Sequence, residues 1–104
     1  MDIGFFTQAG DDQTWSLDEC GAWAKAHDFD CVRLSDRGAA DPQKIHDEGP
    51  EPLREGLAQH GLYLACLTSH CNLLDDDETR RQAEQQRLLL AIDAAAALEC
   101  PVVL

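Results

Sequence analysis

Between an apolar run and a run of acids, the segment LTSHCNLLDDDETRR (67–81) places His70 and Asn72 two residues apart. An imidazole and a carboxamide can hydrogen-bond hydroxyl or carbonyl groups, and an imidazole can also move a proton near neutral pH. The plainer reading is that His70 ties down a loop. Phe6, Arg33 and Ser35 stand near the ends of two other short apolar runs, where they could line the same mouth, although strand ends also need ordinary core and loop residues.

Three other constellations invite chemistry and carry less of it. Asp75, Asp76, Asp77 and Glu78 could hold a hard cation loosely, but they lack the glycine and the ligand spacing of a calcium loop. A solvated helix start, with acids facing the positive end of the helix dipole, explains them better. Cys66, His70 and Cys71 lack the spacing of a four-ligand zinc site, which leaves structural cysteines. Alternation would also put Cys66 and His70 on one side, with Cys71 in the loop. The GDD at 10–12 lies too far beyond the first apolar run for the acid pair of a receiver domain.

The elements that must position these residues alternate. DIGFF reads as a first strand, and after TQAGDDQT a helix opens at Ser16, with Glu19 completing a capping box and Trp15 and Cys20 placed for a hydrophobic staple. Leu17, Cys20 and Ala24 give that helix its apolar stripe, and it ends near His27 or Asp28. FDCVRLS is a second strand, followed by the loop DRGAADP. Asp41-Pro42 could start a helical turn that EGPEP interrupts; the firmer helix is EPLREGLAQH, with Leu53 and Leu57 facing the sheet and Gly61 as a left-handed cap. LYLACLTSH reads as a third strand, apolar enough on both faces to be parallel. TRRQAEQQRLLLAIDAAAAL is a long helix whose buried stripe is predicted at Leu88, Leu89, Ile92 and Ala96, and CPVVL begins a fourth strand. The order β-α-β-α-β-α-β with short connections is the pattern of right-handed parallel crossovers.

Bulk composition bounds the partners. A chain of 104 residues holds one core, and its 44% apolar content without any long apolar run implies a soluble protein with no membrane span. A net charge of −12 repels phosphate backbones and anionic lipid, which argues against a nucleic-acid or membrane partner. The N-terminus does not fit a secretory signal, and five cysteines without a C-x-x-C pair read as reduced thiols, so the expected compartment is the cytoplasm.

Taken in order, the strand with an aromatic near its end, S-L-x-E opening the first helix, FDxVxL, and GLYLACLTSHCNLLDDDxxxR leading into AIDAAAALECPVVL resemble the xylose isomerase-like family of sugar isomerases and epimerases. The resemblance covers all 104 residues and implies an α/β fold of parallel (β/α) repeats, the N-terminal half of a (β/α)₈ TIM barrel running from β1 to β4 and breaking off in β4. Asp28 and Glu99 stand where the family has glycines at helix ends, and Arg33 stands where it often has an acid. Aspartate adopts the left-handed cap conformation at modest cost and glutamate at more, so near Glu99 either the helix runs on or the turn differs.

Chemistry in such a barrel gathers at the carboxyl ends of the strands. The resemblance therefore implies His70, Asn72, Phe6 and Arg33 as substrate-binding residues for a small carbohydrate or sugar acid, with the Phe6 ring against the apolar side of the sugar. It also implies a divalent metal (Mn, Mg, Co or Zn) on strands five to eight, which would assist proton transfer through an ene-diolate. On this reading the chain contributes pocket residues, no metal ligands, and little activity by itself. A half barrel also leaves open sheet edges, which favour self-association or pairing with a missing C-terminal half. The rival expectation is a non-catalytic binding or assembly module that pairs through its open sheet face.

Overall fold

The computed structural model describes residues 2–6 and 16–104. Within them, strands β1 (Gly4–Phe6), β2 (Cys31–Ser35) and β3 (Tyr63–Thr68) form a parallel sheet in the order β1-β2-β3. Helices α1 (Leu17–Ala26), α2 (Pro42–Glu48), α3 (Glu51–Gln59) and α4 (Glu78–Ala97) occupy the connections. The expected α/β class with parallel β/α repeats is the one observed, and the sheet is not closed. The fourth strand is shorter than the sequence suggests. Residues 102–104 add alongside β3 through a single parallel bridge, Leu67 to Val103, and three main-chain hydrogen bonds, Leu67 N–H to Val102 O, Leu104 N–H to Leu67 O and Ser69 N–H to Leu104 O.

Helices α1, α2 and α4 start where a side chain satisfies a free N–H group, whereas α3 starts at Pro50 without one. The Ser16 hydroxyl accepts from Glu19 N–H at 3.1 Å at the head of α1, as the capping box predicts. Trp15, the other half of the proposed staple, lies outside the described residues, as do the acids of GDD. The turn at Asp41-Pro42 is a true helix of seven residues. Asp41 caps it by accepting from Gln43 N–H, Pro42 occupies the first turn, and Gly49 stops it at φ 87°. EGPEP therefore separates two helices and does not abort one.

The three helix-to-strand turns share one geometry. After α1, α3 and α4, a residue with positive φ is followed by an N–H bonded to the carbonyl five residues back: Asp28 (59°) then Phe29 to Ala24, Gly61 (68°) then Leu62 to Leu57, and Glu99 (56°) then Cys100 to Ala95. These are Schellman caps, which turn the chain sharply so that the next strand can run parallel to the last. Glu99 thus keeps the turn that glycine would serve. The helix does not run on.

Val32, Leu34, Leu64 and Leu67 from the sheet pack with Ala24, Ile45, Leu53, Leu57, Ala91, Ala94, Ala95 and Leu98 from the helices. The predicted stripe of α4 requires correction. Ala91, Ala94, Ala95 and Leu98 are buried, Leu88 is half-buried, Ala96 is exposed, and Leu89 and Ile92 are 53% and 47% exposed. Apolar residues run around most of this helix, so periodicity alone permits two stripes offset by one residue. The alanine stripe faces inward because small side chains let the helix axis approach its neighbours closely.

Candidate functional site at the carboxyl ends of the strands

Alternation divides the sheet into two faces. Val32 and Leu34 belong to the helix-facing core, so Arg33 and Ser35 lie on the helix-free face. On β3 the pairing slips by one residue: Leu64 pairs with Val32 and Cys66 with Arg33, leaving Ala65 as the bulged residue. The bulge places both Leu64 and Leu67 in the helix-side core and carries Cys66 and Thr68 to the face of Arg33. Without it, Leu64 and Thr68 would point the same way.

One cluster forms on that face. The Arg33 guanidinium lies 4.3 Å from the centroid of the Phe6 ring, its neighbour in register on β1, and its Nε donates to Thr68 Oγ1 at 2.7 Å. Such a cation–π contact contributes about 0.5–1 kcal/mol or more as water is excluded.

A second cluster sits one step beyond the strand ends. Asp36 N–H donates to Thr68 O at 2.8 Å, continuing the β2–β3 pairing past Ser35. The Asp36 side chain is only 1% exposed. It accepts from His70 N–H at 3.1 Å, from the ring Nδ1 of His70 at 3.1 Å, and from Arg87 Nη2 at 3.0 Å. Burial by itself raises the pKa of this carboxyl. The two bonds from His70 and the Arg87 charge outweigh burial and hold it below the usual aspartate value. Arg87 also reaches Glu84 at 3.6 Å, and Glu84 accepts from Asn72 N–H at 3.2 Å, which ties the loop after β3 to α4.

The network fixes the chemistry of His70. Because Nδ1 faces a carboxylate, neutral His70 carries its proton there, leaving Nε2 as an acceptor. The side chain is 47% exposed. His70 is thus an oriented imidazole, with Nδ1 held by Asp36 and the ring half-exposed.

Of the four residues picked out by sequence, Phe6 and Arg33 touch each other, and His70 is built into the Asp36 network. Thr68 joins the two groups, taking Arg33 Nε on its hydroxyl and Asp36 N–H on its carbonyl. Asn72 stands apart: its Oδ1 accepts from Leu74 N–H at 3.2 Å in a turn of its own. Asp36, Thr68, Glu84 and Arg87 were not singled out in the sequence. An acid one residue past β2 was the available signal for Asp36, since Ser35 pairs with Thr68 and the next step brings the carboxylate to the loop of His70.

Among the described residues, no three His, Cys, Asp or Glu side chains converge to hold a metal ion. The acids at 75–77 serve the helix start: Asp77 Oδ1 caps Arg80 N–H, and Asp75 Oδ1 accepts from Asp77 N–H. All five cysteines are free thiols, and four of them are buried. A separate cleft of about 310 Å³, lined by Leu17, Lys44, Ile45, Glu48 and Leu53 among others, lies among the helices, on the other side of the sheet from Arg33. No described helix is long and apolar enough to cross a membrane.

Parallel strands with helical crossovers, and polar side chains gathered at the strand carboxyl ends, define a β/α barrel type of protein seen here as an open arc. Residues 22–104 match the family model described as xylose isomerase-like TIM barrel, and the chain belongs to that family. No curated protein matches the chain. The family points to sugar isomerase- or epimerase-like chemistry and is generally metal-dependent.

Proposed function

We propose that this chain forms the first half of a sugar isomerase or epimerase barrel and supplies substrate-binding strand ends for small carbohydrates or sugar acids. The observation that supports this most is the pairing of buried Asp36 with half-exposed His70 at the carboxyl end of the parallel sheet. His70 Nε2 would accept a hydrogen bond or a proton from a substrate hydroxyl, with Asp36 stabilising the imidazolium that results. The Phe6 ring and the Arg33 guanidinium would hold the substrate on the same face. Stabilising an ene-diolate would be the task of the family's divalent metal, for which no three His, Cys, Asp or Glu side chains converge among the described residues.

The test has two arms. Incubated alone with Mn²⁺ or Mg²⁺ and a panel of ketoses, the chain gives no turnover. Joined to the second half of a barrel from the same family, it exchanges the substrate C–H with solvent deuterium, and His70→Ala slows exchange by about 100-fold. Turnover by the chain alone, or an unchanged rate in the joined His70→Ala protein, contradicts the reading.

A second reading, a non-catalytic module that assembles through exposed apolar surface, draws on Leu89, Ile92, Val102 and Leu104, all at least 44% exposed. A compact monomer by size-exclusion mass removes it.

A further inference from the structure

Arg33 is a cation held still and left unanswered. Twenty acidic side chains surround eight basic ones in this sequence, yet no described carboxylate pairs with Arg33. The two acids flanking β2 are engaged elsewhere: Asp30 accepts from Ile3 N–H, and Asp36 spends its oxygens on His70 and Arg87. Meanwhile three things fix the guanidinium plane: the β2 backbone, the Phe6 ring beneath it, and the bond from Nε to Thr68 Oγ1. Of its five N–H groups one is used, and the four on Nη1 and Nη2 have no partner among the described residues. A planar pair of parallel donors matches a carboxylate or a phosphate in two-point contact. A half-buried charge without a counterion is costly, and a bound anion removes that cost.

Building on the sugar-binding reading above, we propose that Arg33 is the oxyanion subsite of this face, so that the substrate is a sugar acid or a sugar phosphate and not a neutral sugar. Phe6 and Thr68 act as positioning residues that aim the guanidinium, while His70, held by buried Asp36, lies on the far side of Thr68 to meet the hydroxyl or carbonyl end.

The experiment is a ¹⁵N–¹H NMR titration of the intact chain at constant ionic strength with D-glucuronate, D-glucose 6-phosphate and D-glucose, following the Arg33 Nε–Hε signal and the amides of Phe6, Thr68 and His70. The expected result is that at least one anionic sugar shifts Arg33 Nε–Hε and binds about tenfold or more tightly than glucose. The stronger of the two anions identifies carboxylate or phosphate. Arg33→Lys keeps a charge but loses the fork, and it should erase most of that preference while leaving the amide spectrum dispersed. Equal binding of glucose and both anions at these residues overturns the oxyanion subsite and leaves the sugar-binding reading standing. No shift at these residues with any of the three overturns both.

Discussion

Asp36 holds His70 at two points, the main-chain N–H and the ring Nδ1, each at 3.1 Å. The first bond fixes where the loop after β3 leaves the sheet, and the second fixes which ring nitrogen carries the proton. Long-range ¹⁵N–¹H correlation spectra should therefore show neutral His70 protonated at Nδ1. Asp36→Asn, whose amide can donate where the carboxylate accepts, should shift the population toward the Nε2–H form. An Nε2–H ring in the unmodified protein would mean that the carboxylate does not set the tautomer.

The same carboxylate makes folding stability depend on acidity. A carboxyl whose pKa is lower folded than unfolded contributes stability above the unfolded value, near 4, and loses it as pH falls through the folded value. Denaturant midpoints should therefore fall on acidification below about pH 4. Asp36→Asn should remove part of that dependence and cost about 1–3 kcal/mol at pH 7, because Arg87 and His70 lose a charged acceptor.

The three Schellman caps allow a controlled comparison. Gly61 has open space around the position of a Cβ, so Gly61→Ala tests backbone conformation alone and should cost about 1 kcal/mol. Asp28→Gly and Glu99→Gly should each gain up to about 1 kcal/mol for the same reason. At Glu99 the exposed 3.4 Å pair with Arg54 subtracts little. Chemical unfolding of the three variants checks the signs, and a loss of stability in Glu99→Gly would show that the Arg54 pair outweighs the backbone term.

Exposed apolar residues on α4 and the last segment should drive association. Leu89 and Ile92 project from the same side of α4, and Val102 and Leu104 lie at the β3 edge of the sheet. Paired substitution of Leu89 and Ile92 by glutamate should lower the sedimentation-derived mass toward 11.5 kDa if this surface self-associates. An unchanged oligomer would place the contact on the sheet edge instead.

Sequence made the alternation of strands and helices legible because capping residues and turn glycines are local signals: Ser16, Pro42 and Gly61 each act where their chemistry dictates. It also marked His70, just past β3, and Arg33, within β2, whose places follow from the same alternation. What it missed depends on register. The bulge at Ala65 decides that Thr68 meets Arg33, and nothing in YLACLT announces a slipped pairing. Asp36 and Arg87 come together across 51 residues of chain, a distance over which local patterns carry no information. In α4, leucines and alanines both satisfied helical periodicity, and only the space between the packed elements selected the alanines.

The central claim is that ligand meets this chain on the helix-free face at the strand ends, not in the cleft among the helices. Amide chemical-shift mapping with D-glucuronate tests it most directly. The account predicts perturbations grouped at Phe6, Arg33, Ser35, Thr68 and His70; perturbations grouped instead at Leu17, Lys44, Glu48 and Leu53 would contradict it.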